Sequence, residues 1–154
     1  MEGNVAPFTK ILVAVDKSEH AVRAFDYAVR LSMVTGANIS VLHVVTPPVA
    51  GEEGVSAAQL ADSLRKEGDH LIAQLKSRVE MQFGIRAGET TTITIDYLIK
   101  EGSPAKVIIT SAKQSDADLI IVGSSGTSGV KELLLGSVSH AVSNHASCPV
   151  LIVK

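Results

Sequence analysis

Asp118-Leu-Ile-Ile-Val-Gly-Ser-Ser-Gly126 is the stretch that decides the fold. Its aliphatic run is short and bounded by a carboxylate and a glycine, so it reads as a strand buried on both faces. A second run of the same kind, Lys10-Ile-Leu-Val-Ala-Val-Asp16, stands near the start of the chain. Two such strands belong at the centre of a parallel sheet.

Working outward, Ser18 caps a helix running to about Thr35, and Gly36 is placed to end it. Arg23, Asp26 and Arg30 share its polar face, with Asp26 and Arg30 an i,i+4 pair. Ala21, Val22, Phe25, Ala28, Val29 and Leu31 form the apolar side. Ile39 to Val45 is a second strand, stopped by Pro47-Pro48, and Val49 to Gly54 is a loop. A long helix follows from about Ser56 to Phe83, with Leu60, Leu64, Leu71, Leu75 and Val79 as its stripe and Gly84 at its end. Gly68 interrupts it at about 1 kcal/mol relative to Ala and marks a potential kink. Thr91 to Ile99 alternates, as a strand with one less covered face does. Ser103-Pro104 opens a helix as N-cap and N1, another helix begins near Gly136-Ser137, and Pro149 to Val153 is the last strand.

The order is βαβαβαβαβ. It predicts an α/β three-layer sandwich: a five-stranded, mostly parallel sheet, order 3-2-1-4-5, with helices on both faces. The 154 residues form one domain, 1–154, without repeat or linker. Hydrophobic residues make up 45% and aromatic residues only 3%, so Val, Ile, Leu and Ala fill the core. The net charge is −2, without a basic run, which argues against nucleic acid and against a polybasic membrane anchor. Met1 to Lys10 has no signal-peptide character, and no apolar run approaches the ~20 residues of a membrane span. A cytoplasmic protein is expected. Cys148 is the one cysteine, so an internal disulfide is excluded and the residue reads as a small apolar one.

The 3-2-1-4-5 order sets the switch point between the first and fourth strands, where ligands bind at the carboxyl ends. The first ends at Asp16; the fourth ends in Gly123-Ser-Ser-Gly126, followed after nine residues by Gly136-Ser137. Glycines let backbone N–H groups approach an anion, a helix N-terminus adds orphan donors, and Ser124, Ser125 and Ser137 add hydroxyls. The pattern is neither a P-loop nor G-x-G-x-x-G. Asp16 reads either as a ligand contact or as an Asx-turn residue beside Ser18. Ser137 reads as an N-cap, a role compatible with anion binding. His20 reads as solvated and His43 as a hydrogen-bonded core residue. His70 stands on the long helix, and His140 and His145 are five apart, so no metal site is assigned. Lys131 reads either as a phosphate contact or as a solvated turn residue, the latter favoured.

These residues resemble the universal stress protein family over Thr9 to Lys154. The resemblance rests on Ile11-Leu-Val-Ala-Val-Asp16-Lys-Ser18, Val41-Leu-His43-Val44, Gly102-x-Pro104 and Cys148-Pro-Val-Leu-Ile-Val-Lys154. Its most specific element is G-x2-G-x9-G-[ST], present as Gly123, Gly126, Gly136 and Ser137. Gly129 adds a glycine inside the spacer, and Ala14 is smaller than the proline of some relatives. The resemblance implies a Rossmann-like fold of the adenine nucleotide alpha hydrolase-like kind and the family's ATP-binding branch. It places Ala14, Val15 and Asp16 at the base and ribose, Val44 on adenine, Val122 and Gly123 at the ribose, and Gly126, Gly136, Ser137 and Val138 on phosphates. ATP, with or without Mg²⁺, is the implied ligand, and AMP suits the same motif. A stress-response regulator follows, homodimeric through the C-terminal strand, with an unidentified protein partner. Catalytic residues are not assigned. Slow ATP hydrolysis or self-phosphorylation on Ser124, Ser125 or Thr127 is one alternative; an AMP- or cyclic AMP-binding or nucleotide-free interaction module is the other.

Overall fold

The computed structural model describes residues 8–47, 56–86, 93–125 and 135–154. Its elements run β1 (Lys10–Val15), α1 (Glu19–Thr35), β2 (Asn38–Val45), α2 (Ala57–Arg78) with a π-helical turn at Val79–Phe83, β3 (Ile95–Glu101), α3 (Pro104–Gln114), β4 (Leu119–Gly123), α4 (Ser137–His145) and β5 (Val150–Val153). The sheet has the predicted order β3-β2-β1-β4-β5, and all four pairings are parallel.

Strand alternation divides the core in two. Ile11, Val13, Val15, Ile39, Val41 and Ile121 face α1 and α2, where Phe25, Val29, Leu71 and Leu75 meet them. Leu12, Leu42, Ile120 and Val122 face the other way, onto Ile108 and Ala112 of α3 and Val142 of α4. Phe25 is the bulkiest side chain with no exposure, a burial worth about 2–3 kcal/mol.

The helix ends follow capping chemistry. Ser18 Oγ accepts from Ala21 N at 3.2 Å, and Gly36 closes α1 in the left-handed region at φ 73°. Ser56 and Gln59 form a reciprocal capping box on α2. Pro104 stands at N1 of α3 after Ser103, whose side chain makes no capping bond.

Several local expectations change. Asp26 does not pair with Arg30; it is buried and takes two 2.7 Å hydrogen bonds from Arg78 Nε and Nη2. Packing of α2 on α1 supplies a closer cation than the i+4 neighbour. α2 runs unbroken through Gly68. Regular α geometry ends at Arg78, and the π turn carries the chain to Gly84, left-handed at φ 68°. The third strand begins at Ile95 and continues to Glu101, later than the alternation indicated. Pro48, the 49–54 loop and Thr91–Thr92 lie outside the described residues. Among those described, no helix is long and apolar enough to cross a membrane.

Candidate functional site

The carboxyl ends of β1, β2 and β4 open into a cleft of about 550 Å³, within the usual range for a small-molecule site. Nine of the ten residues singled out from the sequence line it: Ala14, Val15, Asp16, Val44, Val122, Gly123, Gly136, Ser137 and Val138. Gly126 lies outside the described residues, as do Thr127, Gly129 and Lys131. Leu42, Ile108 and Val138 give the cleft an apolar floor, while Asp16, Lys17 and Glu67 are its charged members.

Asp16 follows β1, and its Oδ1 accepts from Ser18 N at 2.8 Å. The carboxylate is therefore held in an Asx turn while it also faces the cleft. The Asx-turn reading of Asp16 is met, and the residue also lines the cleft.

The β4 end and the α4 start are joined through one carbonyl. Ser124 O accepts from Gly136 N at 2.8 Å and from Ser139 Oγ at 3.0 Å, and Ser139 Oγ also lies 3.0 Å from Gly136 O. Ser124 N in turn donates to Val153 O of β5 at 2.7 Å. Ser139 is buried and was not singled out from the sequence. Its position, three residues after Gly136, was the available signal. Gly136, not Ser137, is the N-cap of α4. Ser137 is the exposed first helical residue, so its hydroxyl is not committed to capping. The N–H groups of Ser137, Val138 and Ser139 head the helix, where helix geometry leaves donors without an intrahelical acceptor.

Gly123 has a packing reason beside any ligand reason. A Cβ there would sit 2.9 Å from the carbonyl carbon of His20 and 3.0 Å from Ala21 N. The missing side chain lets the first turn of α1 close on β4. That approach brings His20 Nδ1 to 2.7 Å from Ser125 Oγ, so His20 is hydrogen-bonded rather than simply solvated. Ser18 Oγ reaches Ser125 O at 3.4 Å.

His43 is the hydrogen-bonded strand residue expected. Its Nδ1 lies 2.9 Å from Val15 O; a carbonyl only accepts, so Nδ1 is the donor. On α2, Glu67 takes a 2.5 Å hydrogen bond from Lys17 Nζ. That bond holds the Glu67 carboxyl below the ordinary carboxylate range. Cys148 is half-buried, and burial pushes its thiol up. Among the described residues, no group of three His, Cys, Asp or Glu side chains is disposed to hold a metal ion.

Residues 7–154 match the model of the universal stress protein family. The chain belongs to the universal stress protein family. It is 36% identical over 154 residues to universal stress protein YxiE of Bacillus subtilis, covering 96% of this chain and 99% of that one. Universal stress protein UspA from Lactobacillus plantarum superposes with TM-score 0.79 at 29% identity, over 96% of this chain and 98% of that one. A universal stress protein family protein from Arabidopsis thaliana with AMP bound superposes with TM-score 0.62 at 25% identity, over 95% and 91% of the two chains. The universal stress protein fold is thus shown here, with a cleft at the switch point that the fold predicts.

Proposed function

We propose that this universal stress protein binds an adenine nucleotide, ATP foremost, in the cleft between β1 and β4, and that occupancy controls a protein partner in the stress response. The observation that carries this reading is the convergence of Asp16, Val44, Gly123 and Ser137 on one cavity at the switch point. The AMP-bound relative supports the ligand class. Asp16 and Val44 are assigned to the base and ribose, and Gly136, Ser137 and Val138, with Gly126, to the phosphates. Nucleotide occupancy shifts the protein between partner-binding states, which is a population shift. Mg²⁺ belongs to this proposal as a phosphate counter-ion. So does a cytoplasmic homodimer: β5 is a sheet edge, and antiparallel pairing with a second copy removes two open edges.

Freshly purified protein is denatured and the released nucleotide identified by chromatography; thermal shifts are then recorded with ATP, AMP and cyclic AMP, with Mg²⁺ and with chelator. Released adenine nucleotide and a shift with ATP support the reading. No nucleotide and no shift with any of the three sinks it in favour of a nucleotide-free module.

The 2.7 Å contact of Ser125 Oγ with His20 Nδ1 favours self-phosphorylation as the second reading. Ser125 Oγ bonds to the γ-phosphorus, the bond to the β–γ bridging oxygen breaks, ADP leaves, and the hydroxyl proton passes to His20. Intact-mass measurement after incubation with ATP tests it. Phosphate that persists in Ser125→Ala rejects Ser125 as the acceptor.

A further inference from the structure

The cleft contains one more relationship, between two of its charged lining residues. Lys17, in the β1–α1 corner, reaches across to Glu67 on α2. Both residues line the cleft, and Lys17 is the single lysine or arginine among its described lining residues. Counting Asp16 and Glu67 against Lys17, the described lining carries one net negative charge. That lining suits an uncharged nucleoside better than a phosphorylated one as long as Glu67 occupies Lys17.

The pair is easily broken. Its side chains are 56% and 50% exposed, and exposed ion pairs contribute little to stability. A cavity of 550 Å³ is about 10 Å across if taken as a sphere, which is comparable to the swing of a four-carbon lysine stem. A ligand phosphate, with two or more charges, competes with a single carboxylate for one ammonium.

The geometry points to Glu67 as a charge-selecting residue: it holds Lys17 in the unliganded cleft and releases it to the phosphate of a bound nucleotide. This rests on the nucleotide reading above and adds the rule by which the cleft discriminates ligand charge. Two consequences follow. Ligand charge state is sensed through Lys17, so adenosine leaves the clasp closed and ATP opens it. Opening leaves Glu67 unpaired on α2, so the charge that α2 presents at the cleft differs between the two ligand states.

The test is a double-mutant cycle read by calorimetric titration. Adenosine, AMP and ATP are titrated into the wild type, Glu67→Gln, Lys17→Met and the double variant, at low and at high salt. Glu67→Gln is expected to raise ATP affinity about tenfold while adenosine stays within about twofold. Lys17→Met lowers ATP affinity and leaves adenosine unchanged. In the Lys17→Met background the gain from Glu67→Gln shrinks to its field effect alone, and added salt reduces every difference. Additive effects, or equal gains for ATP and adenosine, overturn the clasp while leaving the nucleotide reading intact. Failure of the wild type and of Glu67→Gln to bind any of the three ligands overturns both.

Discussion

Gly68 and His43 are a fitted pair: a Cβ on Gly68 would lie 2.9 Å from His43 Cδ2 and 3.1 Å from Ile99 Cδ1. The imidazole cannot retreat cheaply, because its Nδ1–H is bonded to Val15 O. A glycine in mid-helix loses about 1 kcal/mol relative to Ala, and here that loss allows α2 to lie close over β2. Gly68→Ala is expected to destabilise by about 1–2 kcal/mol, since overpacking exceeds the propensity gain. In a His43→Ala background the same change should stabilise. Chemical denaturation of the four proteins checks the reversal of sign.

Gly123→Ala meets backbone instead of a movable ring. The His20 carbonyl carbon and Ala21 N would stand 2.9 and 3.0 Å from the new Cβ. A loss of about 2–3 kcal/mol is expected, accompanied by separation of His20 from Ser125. The midpoint of thermal unfolding and the His20 ring resonances in NMR report the two effects.

Arg78→Ala should cost about 2–3 kcal/mol, because it strands the Asp26 carboxylate inside the α1–α2 contact. Asp26→Asn should be milder, since the amide oxygen still accepts one bond. Equal losses for both variants in urea titrations would contradict this account.

Asp118 predicts part of the acid limb of stability. Burial pushes its carboxyl up, but hydrogen bonds from Thr9 N–H, Thr9 hydroxyl and Lys10 N–H outweigh it, and the folded pKa falls below the ordinary value. The unfolded chain therefore takes up the proton first as pH drops. Stabilisation is complete above the unfolded pKa and disappears as pH falls through the folded one. Asp118→Asn should be less stable near neutrality and should show a flatter decline between about pH 5 and pH 2. Melting curves across that window decide it.

Ser137→Ala should weaken ATP binding more than adenosine binding, because Ser137 lines the cleft at the head of α4 and its hydroxyl is not committed to capping. Equal weakening of both ligands by isothermal titration places the phosphates elsewhere.

The sheet order was legible in the sequence because two strands, Ile11–Val15 and Leu119–Val122, are aliphatic without alternation. Only central strands covered on both faces tolerate that pattern. Asp16 and Gly123 were legible for a related reason, since they stand at the carboxyl ends of those strands, whereas Gly136 and Ser137 were legible from their nine-residue spacing to Gly126. The partner of Asp26 was not legible. It lies 52 residues away on another helix, and i,i+4 spacing describes only neighbours on one helix. The structural duties of Gly68 and Gly123 were hidden likewise. Each glycine is required by a side chain or a backbone from a different element, and local spacing carries no trace of it. Lys17 and Glu67 are ordinary surface residues in sequence, and only the fold brings them to one cleft.

The junction at the Ser124 carbonyl has a consequence for how this protein can vary. Gly136 N and Ser139 Oγ both bind that one oxygen, so residues 124 and 136 are tied whatever connects them. Lengthening a connection whose ends are already fixed carries only a logarithmic entropic cost, about 0.6 kcal/mol for each doubling. Insertions between Ser125 and Gly136 should therefore leave the sheet untouched. Folding alone therefore does not set the nine-residue spacer of the G-x2-G-x9-G-[ST] motif, so a fixed length there answers to what the stretch binds and not to the sheet.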